Sequence, residues 1–455
     1  MEYDGDQEYG ISKLPDEIVI SILRRIPMKE AARTSVLSRR WKSLWTLCPR
    51  LELDGSIKNF HYLTKVKGKD YCQSDRDIES GGFINWVNHV LESCHAHAHA
   101  HALDEFKVGF GLHDQFRPEI DKWVRFAFEK KVKRFELDFS WSFGGVITCD
   151  PYSYHLSLQA LKIPSSTCIS TISLTSLILK QVNVSDETLE TLLLNSPFLE
   201  CLCVGGSTSL IHLRVVGPSL CLKYLQVIQC PDLKSLQLDA PNLLSLKYIG
   251  PEITIPFINI PNLVELGIGG NYLPCFARNL PMLSPSNFSQ LRKLALSTTS
   301  SSSITRDDIE RSEHPILSQL KQLELNVIAF DDDDFLHYCP LIEACTSLNT
   351  LALQLTISNC KDTTTREVRR RNKCLHPSLR VVQVTGFVGQ TADTELCIYL
   401  IENAIMLDKI IIDPCHLAYR GTPHEEDFIE MVKQGRECAE QLRSKYSLGD
   451  KLVIL

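Results

Sequence analysis

The sequence has no apolar run long enough to cross a bilayer as a helix. Its longest charge-free stretch, residues 163–179, is crowded with Ser and Thr and contains Pro164. A basic, apolar leader is missing too: the first ten residues, MEYDGDQEYG, are acidic and polar, so a cytoplasmic or nuclear location is expected. Positive charge is not in excess. A net charge of −7 argues against a nucleic-acid partner, which usually calls for a basic stripe. No CxxC pairs with a second CxxC or with a HxxxH at zinc spacing, so the 17 cysteines suggest no structural metal. With no export signal they read as reduced thiols used as small core residues; the closest pair, Cys201 and Cys203, lies on a predicted strand with both side chains on one side. A Gly-rich phosphate loop, a G-x-S-x-G elbow, an H-E-x-x-H pair and the kinase motifs are all lacking. Neither a catalytic constellation nor a cofactor is expected.

What is present is ordinary in composition, 44% apolar and 23% charged, and 455 residues long. That length exceeds a single core and calls for several domains or a long repeat array. The densest helical signal covers residues 14–47. Leu14-Pro15-Asp16-Glu17 opens it, with proline suited to a first turn and two acids complementing the helix dipole. Ile18, Val19, Ile22, Leu23 and Ile26 follow at helical spacing, and Pro27 stops the helix. Met28, Ala32 and Val36 mark a second short helix. Ser38 is placed to cap a third, with Trp41, Leu44 and Trp45 on one face. Three short helices in roughly 40 residues are near the lower size limit for a stable core, so part of their apolar face calls for a partner, either another part of this chain or another protein.

From about residue 103 a six-residue pattern, apolar-x-x-apolar-x-apolar, keeps returning. It starts at Leu103, Val132, Leu158, Leu174, Leu199, Leu210, Leu222, Leu233 and Leu243, then at Leu263, Leu291, Leu320, Leu348, Leu379 and Leu407. This is the leucine-rich-repeat signature, a strand and a return segment per turn. Later copies are wide enough for a helical return. Those between Leu199 and Leu243 leave room for a strand and a tight turn only, which predicts narrow all-strand rungs there and a change of curvature beyond them. Ser185-Asp186-Glu187 can start one return helix, and the acidic run 331–334 another. Within each rung the leucines point inward, and the residues between them line an exposed face suited to proteins or peptides. That face is expected to carry Tyr224, Gln226, Ser235, Gln237, Ser245, Lys247, Glu265, Lys293, Gln322, Glu324, Thr350 and Gln383. Of these, Tyr224, Gln226, Lys247, Glu265, Lys293 and Glu324 are the candidate substrate contacts.

The string LPDEIVISILRRIPMKEAARTSVLSRRWKSLW closely resembles the F-box. In that family the module docks on a Skp-family adaptor and through it on a cullin. The contact positions carried over by the resemblance are Leu14, Pro15, Ile18, Leu23, Ile26, Pro27, Val36, Leu37, Ser38, Trp41 and Trp45. Residues 376–414 resemble the FBD segment that follows the repeats in plant F-box proteins: a strand ending in Gly386-Phe387, the Leu400-Ile401-Glu402-Asn403-Ala404 helix and a strand ending in Ile412-Asp413-Pro414. Residues 82–139 likewise look like the region between F-box and repeats in these proteins. The implied fold is an α/β repeat: an N-terminal three-helix F-box, then a leucine-rich-repeat solenoid (horseshoe) with an FBD-type C-terminal end. The segments expected are an acidic tail (1–11), the F-box (12–54), a connecting helical segment with a His-Ala loop (55–102), the solenoid (103–375) and the FBD-like region with its cap (376–455). A helix near 424–445 and a strand at 451–455 would close the exposed end. The implied role is that of substrate-recognition subunit of a Skp-cullin-F-box ubiquitin ligase, with an unknown protein substrate and no membrane or nucleic-acid partner. A repeat scaffold without ubiquitin transfer and a small-molecule co-receptor are the other readings.

His95, His97, His99 and His101 alternate with alanine; they read as a loop expansion between a helix and the Leu103 strand, although four imidazoles could hold a transition metal. The basic cluster REVRRRNK (366–373) reads as a solvated loop or a nuclear address, and the Ser/Thr stretch 297–305 as a surface insertion open to phosphorylation.

Overall fold

The computed structural model describes residues 14–38, 40–55, 73–97, 102–140, 152–161, 172–217, 220–280, 283, 285–298, 317–329, 335–357, 374–415 and 428–455. The acidic tail, the run 331–334, the cluster 366–373, most of the Ser/Thr stretch, His99 and His101 lie outside them. The chain forms two compact units, one of residues 1–141 with 150–199, the other of 142–149 with 200–455.

The first unit begins with short helices α1 (Asp16–Leu23), α2 (Met28–Arg33) and α3 (Trp41–Leu44), interleaved with 3₁₀ turns at Thr34–Val36 and Trp45–Leu47. Strand β1 (Arg50–Asp54) comes next, so the sheet starts within the segment counted with the F-box. β1 pairs in parallel with β2 (Glu105–Gly109), β2 with β3 (Arg134–Asp138), and β3 with β5 (Ser176–Lys180). Register is one to one: Leu51, Phe106, Phe135 and Leu177 stack in one inner row, and Leu53, Val108, Leu137 and Leu179 in the next. All eight are buried. Helix α4 (Gln73–His97) returns after β1 and α5 (Arg117–Glu129) after β2. In α5, Pro118 occupies the first turn, and Ile120, Trp123, Val124 and Ala127 form a buried stripe at helical spacing.

Two expectations fail in this unit. The copy at Leu158 is not a strand: Leu158–Leu161 forms a single helical turn, α6, because Ser157 Oγ accepts the Ala160 N–H at 3.3 Å and caps it. The His-Ala run is not simply a loop either. Helix α4 continues to His97, and the His95 ring lies 4.9 Å from Phe126. Two-residue strands β4 (His155–Leu156) and β6 (Asn183–Val184) pair with each other, and α7 (Asp186–Asn195) follows. Its Ser185 cap forms as expected, accepting the Thr188 N–H at 3.3 Å.

In the second unit the sheet order is β7 (Cys201–Gly205), β9 (Tyr224–Ile228), β11 (Ser245–Ile249), β13 (Glu265–Gly269), β14 (Lys293–Ser297), β15 (Gln322–Ala329), β16 (Thr350–Ile357), β17 (Val381–Thr385), β18 (Lys409–Asp413) and β19 (Leu452–Ile454). A second sheet holds β8 (His212–Val216), β10 (Ser235–Asp239) and β12 (Phe257–Ile258). Closely spaced copies therefore alternate between two sheets. Tyr224 pairs with Cys201 and Ser245, whereas Ser235 pairs with His212. A strand followed by a tight turn runs back along the opposite side, so one rung consumes two copies. Rungs here are all-strand, as expected. Further on, helices α8 (Tyr272–Asn279), α9 (Cys339–Ala344) and α10 (Thr391–Asn403) provide the returns, and α11 (Ile429–Lys445) leads into β19 at the end of the sheet.

The FBD-like segment is held by buried polar contacts. Tyr399 Oη donates to Glu343 Oε1 at 2.9 Å and lies 3.0 Å from His376 Nε2, tying α10 to α9. At the start of α10, Asp393 Oδ2 accepts the N–H groups of Val388 and Gly389, each at 3.0 Å. Burial outweighs those bonds and pushes the Asp393 carboxyl up to about 7. A raised folded-state pKa means the native chain keeps a proton that the unfolded chain has lost. This contribution is full below about pH 4 and is lost as pH rises towards 7. Asp393→Asn, which retains an acceptor oxygen without the charge, should flatten stability across that window. Asp393→Ala should cost about 1–3 kcal/mol by orphaning two amides; urea unfolding at pH 5 and pH 7.5 checks both.

Candidate functional site

Helix α1 carries apolar residues on two sides. Val19 and Leu23, one turn apart, are buried, whereas Ile18, Ile22 and Ile26 repeat every four residues and are 48%, 44% and 37% exposed. Pro15 precedes the helix at φ −55° and ψ 151°, and Asp16 and Glu17 occupy its first turn. Beyond α2, the turn bearing Val36 is tied back by Thr34 Oγ1, which donates to the Ala31 carbonyl at 2.6 Å. Val36 and Leu37 stand out from it, 88% and 60% exposed. Ser38 then caps α3, its Oγ accepting the Trp41 N–H at 3.3 Å. Arg40 closes the arrangement: Nε donates to Asp16 Oδ1 at 2.8 Å and Nη2 to the Leu14 carbonyl at 2.5 Å. One guanidinium thus ties the segment after Leu37 to the start of α1.

A lone exposed leucine needs no explanation, but several large aliphatics on one small helical unit form a surface for another molecule. The carried-over contact set divides on this basis. Pro15, Ile18, Ile26, Pro27, Val36 and Leu37 are exposed, and Leu14 and Ser38 partly so. Leu23, Trp41 and Trp45 are not surface positions: they are buried, with only 2%, 4% and 6% exposure. Their part is to hold the unit together. The Trp45–Leu47 turn packs against α4, and α1 against α3. Ile22 belongs with the exposed set, although sequence spacing marks it only as part of the helical stripe. Cys48, next to this core, is pushed up to about 11 by burial, and Cys94 in α4 to about 12, so neither thiol ionises at neutral pH.

On the second unit's main sheet, Tyr224, Glu265 and Lys293 share a row with Ser245 and Gln322. Gln226, Lys247 and Glu324 share the next row with Gly267 and Ala295. The six substrate candidates thus lie on adjacent rows of one surface. Ser235 and Gln237 do not join them. They sit on β10 in the second sheet, where they meet His212 at 2.8 Å and Arg214 at 3.2 Å. The charges are largely self-satisfied: Lys293 pairs with Glu324 at 3.2 Å, and Glu265 accepts from Ser245 at 3.3 Å. The first unit's sheet carries a denser ladder missing from the sequence reading, in which Arg50 and Arg134 flank Glu105 at 3.0 and 2.9 Å. Register alone reveals it, because only paired strands bring those residues together. Among the described residues no cluster of His, Cys, Asp and Glu could hold a metal, and no helix is long and apolar enough to cross a membrane.

Comparison with known proteins finds a family model for the N-terminal helices and another for the repeats. An F-box domain model matches residues 11–53, and the model described as At1g61320/AtMIF1, LRR domain, matches residues 102–444. The chain is 25% identical to the putative F-box/FBD/LRR-repeat protein At5g22670 of Arabidopsis thaliana, over 94% of this chain and 96% of the relative. It is 24% identical to the FBD-associated F-box protein At5g22730 of the same plant, over 92% and 89%. The F-box/FBD/LRR-repeat protein At2g04230, also from Arabidopsis thaliana, is 32% identical over 48% of this chain and 47% of its own length.

The buried and exposed residues should respond differently to truncation. Leu23→Ala and Trp45→Ala should each cost about 2–5 kcal/mol, while Val36→Ala and Leu37→Ala stay within about 0.5 kcal/mol. Urea unfolding followed by tryptophan fluorescence reads this, since all five tryptophans lie in residues 41–141, within the first unit.

Proposed function

The chain belongs to the F-box and leucine-rich-repeat family, and on that premise we propose that it is the substrate-recognition subunit of a Skp-cullin-F-box ubiquitin ligase. Members of this family are typically non-catalytic adaptors. The observation that carries the reading is the exposed aliphatic set Ile18, Ile22, Ile26, Val36 and Leu37 on helices with a separate packed core. Left in water it costs free energy; covered by a Skp-family adaptor it becomes an interface core. The repeat surface then holds a protein target close to the ubiquitin-charged enzyme, raising the effective concentration of its lysines. The chain supplies no nucleophile to this step. Buried, neutral thiols fit a reducing cytoplasmic or nuclear setting.

The test is affinity for a purified Skp-family adaptor. Val36→Asp with Leu37→Asp should leave the melting temperature near that of the wild type and weaken adaptor binding by about tenfold or more. A wild-type chain that does not bind the adaptor would replace the ligase reading with that of a scaffold.

A further inference from the structure

Within the first unit lies a cavity of about 720 Å³, bounded by the turn between α1 and α2, by β1 and by one side of α4. Its size suits a small organic ligand. Met28, Phe83, Trp86 and Phe110 give it apolar walls, with Phe83 stacked on Phe110 at 4.4 Å between centroids. Gly55 permits that stack, because a Cβ there would run into both rings. Gly82 differs. It lines the cavity from α4, and a Cβ built on it meets nothing within 4 Å. Glycine inside a helix weakens it relative to alanine, and no neighbour here requires one. What the missing side chain leaves is open space beside Trp86, one helical turn on.

The charged groups around this space are unevenly engaged. Arg50 is held by Glu52 at 3.1 Å and by Glu105 at 3.0 Å, and Arg24 by Asp104 at 3.5 Å. Asp54 and Glu79 also have partners. Arg25, on the α1–α2 turn, and Lys29, in the first turn of α2, form no ion pair among the described residues. Arg25 and Lys29 thus line the cavity as cations without an ion pair, together with the rings of Phe83 and Trp86.

We propose that this cavity binds a small amphipathic anion, its flat apolar body against Trp86 and its anionic head at Arg25 and Lys29. Ile18, Ile22, Val36 and Leu37 do not line the cavity, whereas Ile26 and Pro27 do, so the site borders the adaptor face at one edge.

The probe is 1-anilinonaphthalene-8-sulfonate titrated into the full chain, alongside N-phenyl-1-naphthylamine, the same aromatic body without the charge. The sulfonate should bind saturably at one site. Gly82→Leu, which fills the space from α4, and Arg25→Glu with Lys29→Glu should each weaken it by about tenfold or more. Gly81→Leu makes the same helix-favouring change at a residue outside the cavity lining, and it should leave binding unchanged, as should Val36→Asp with Leu37→Asp. The uncharged probe should bind about tenfold more weakly than the sulfonate. Melting temperatures no lower than wild type show that the Gly82→Leu chain is folded. Unchanged binding in Gly82→Leu, or loss of binding in the Val36/Leu37 variant, would overturn the site; equal affinity for the two probes would overturn its preference for an anion.

Discussion

In each unit the strands of the main sheet pair in parallel and in one-to-one register, so each strand lays its inner aliphatics over those of its neighbour. Leu51 over Phe106 over Phe135 is one such row, and Leu246 over Leu266 over Leu294 another. The periodicity of two that buries these residues also places their neighbours in the sequence on the opposite face. A parallel ladder cannot close by hairpins, so every strand needs a return. The returns absorb the variation: helices in some rungs, a second strand in others. The ends need covering as well. In the first unit α2 packs on β1, and in the second α11 packs against β19 and then leads the chain into it. Close approach limits residue choice at that cap, where a Cβ on Gly435 of α11 would run into the Phe387 carbonyl.

The rows of leucines were legible because they obey a short local rule. Fourteen of the fifteen six-residue copies begin strands of the main sheets or, at β8 and β10, of the second one; Ser185 and Ser38 cap helices where local chemistry says they should. What escaped depends on distance or on competing local bonds. That copies near Leu210 and Leu233 cross to a second sheet follows from which strands they pair with, and spacing alone does not reveal it. The Leu158 copy has the right apolar pattern, but Ser157 offers its hydroxyl to a helical turn. The F-box resemblance identifies a set of contact positions without separating those exposed at the surface from those that hold the module together. Leu23, Trp41 and Trp45 belong to the second kind, and solvent exposure is what tells them apart from Val36 and Leu37. The cavity beside Gly82 and Trp86 escaped for a similar reason: it is lined by three elements far apart in sequence.

The two surfaces differ in how much they say about their partners. The N-terminal helices expose aliphatic groups, whose only strong requirement is an apolar counterpart, and their family narrows it to an adaptor. The repeat surface has satisfied its own charges through pairs such as Lys293 with Glu324, and between them lie small residues such as Gly267 and Ala295. Such a face can accept many shapes, and its chemistry names no target. The proposed docking rests on exposed aliphatics, whereas target choice would lie in details of shape along rows of mixed polar residues.

The central claim is that the exposed aliphatic face between Leu14 and Ser38 is covered by an adaptor while the repeat surface stays open. Amide hydrogen exchange of the full chain, alone and saturated with a purified Skp-family adaptor, measures this directly. The account predicts slowed exchange within residues 14–38 and unchanged exchange across β9 to β16. Protection confined to the repeat strands, with residues 14–38 unaffected, would contradict it.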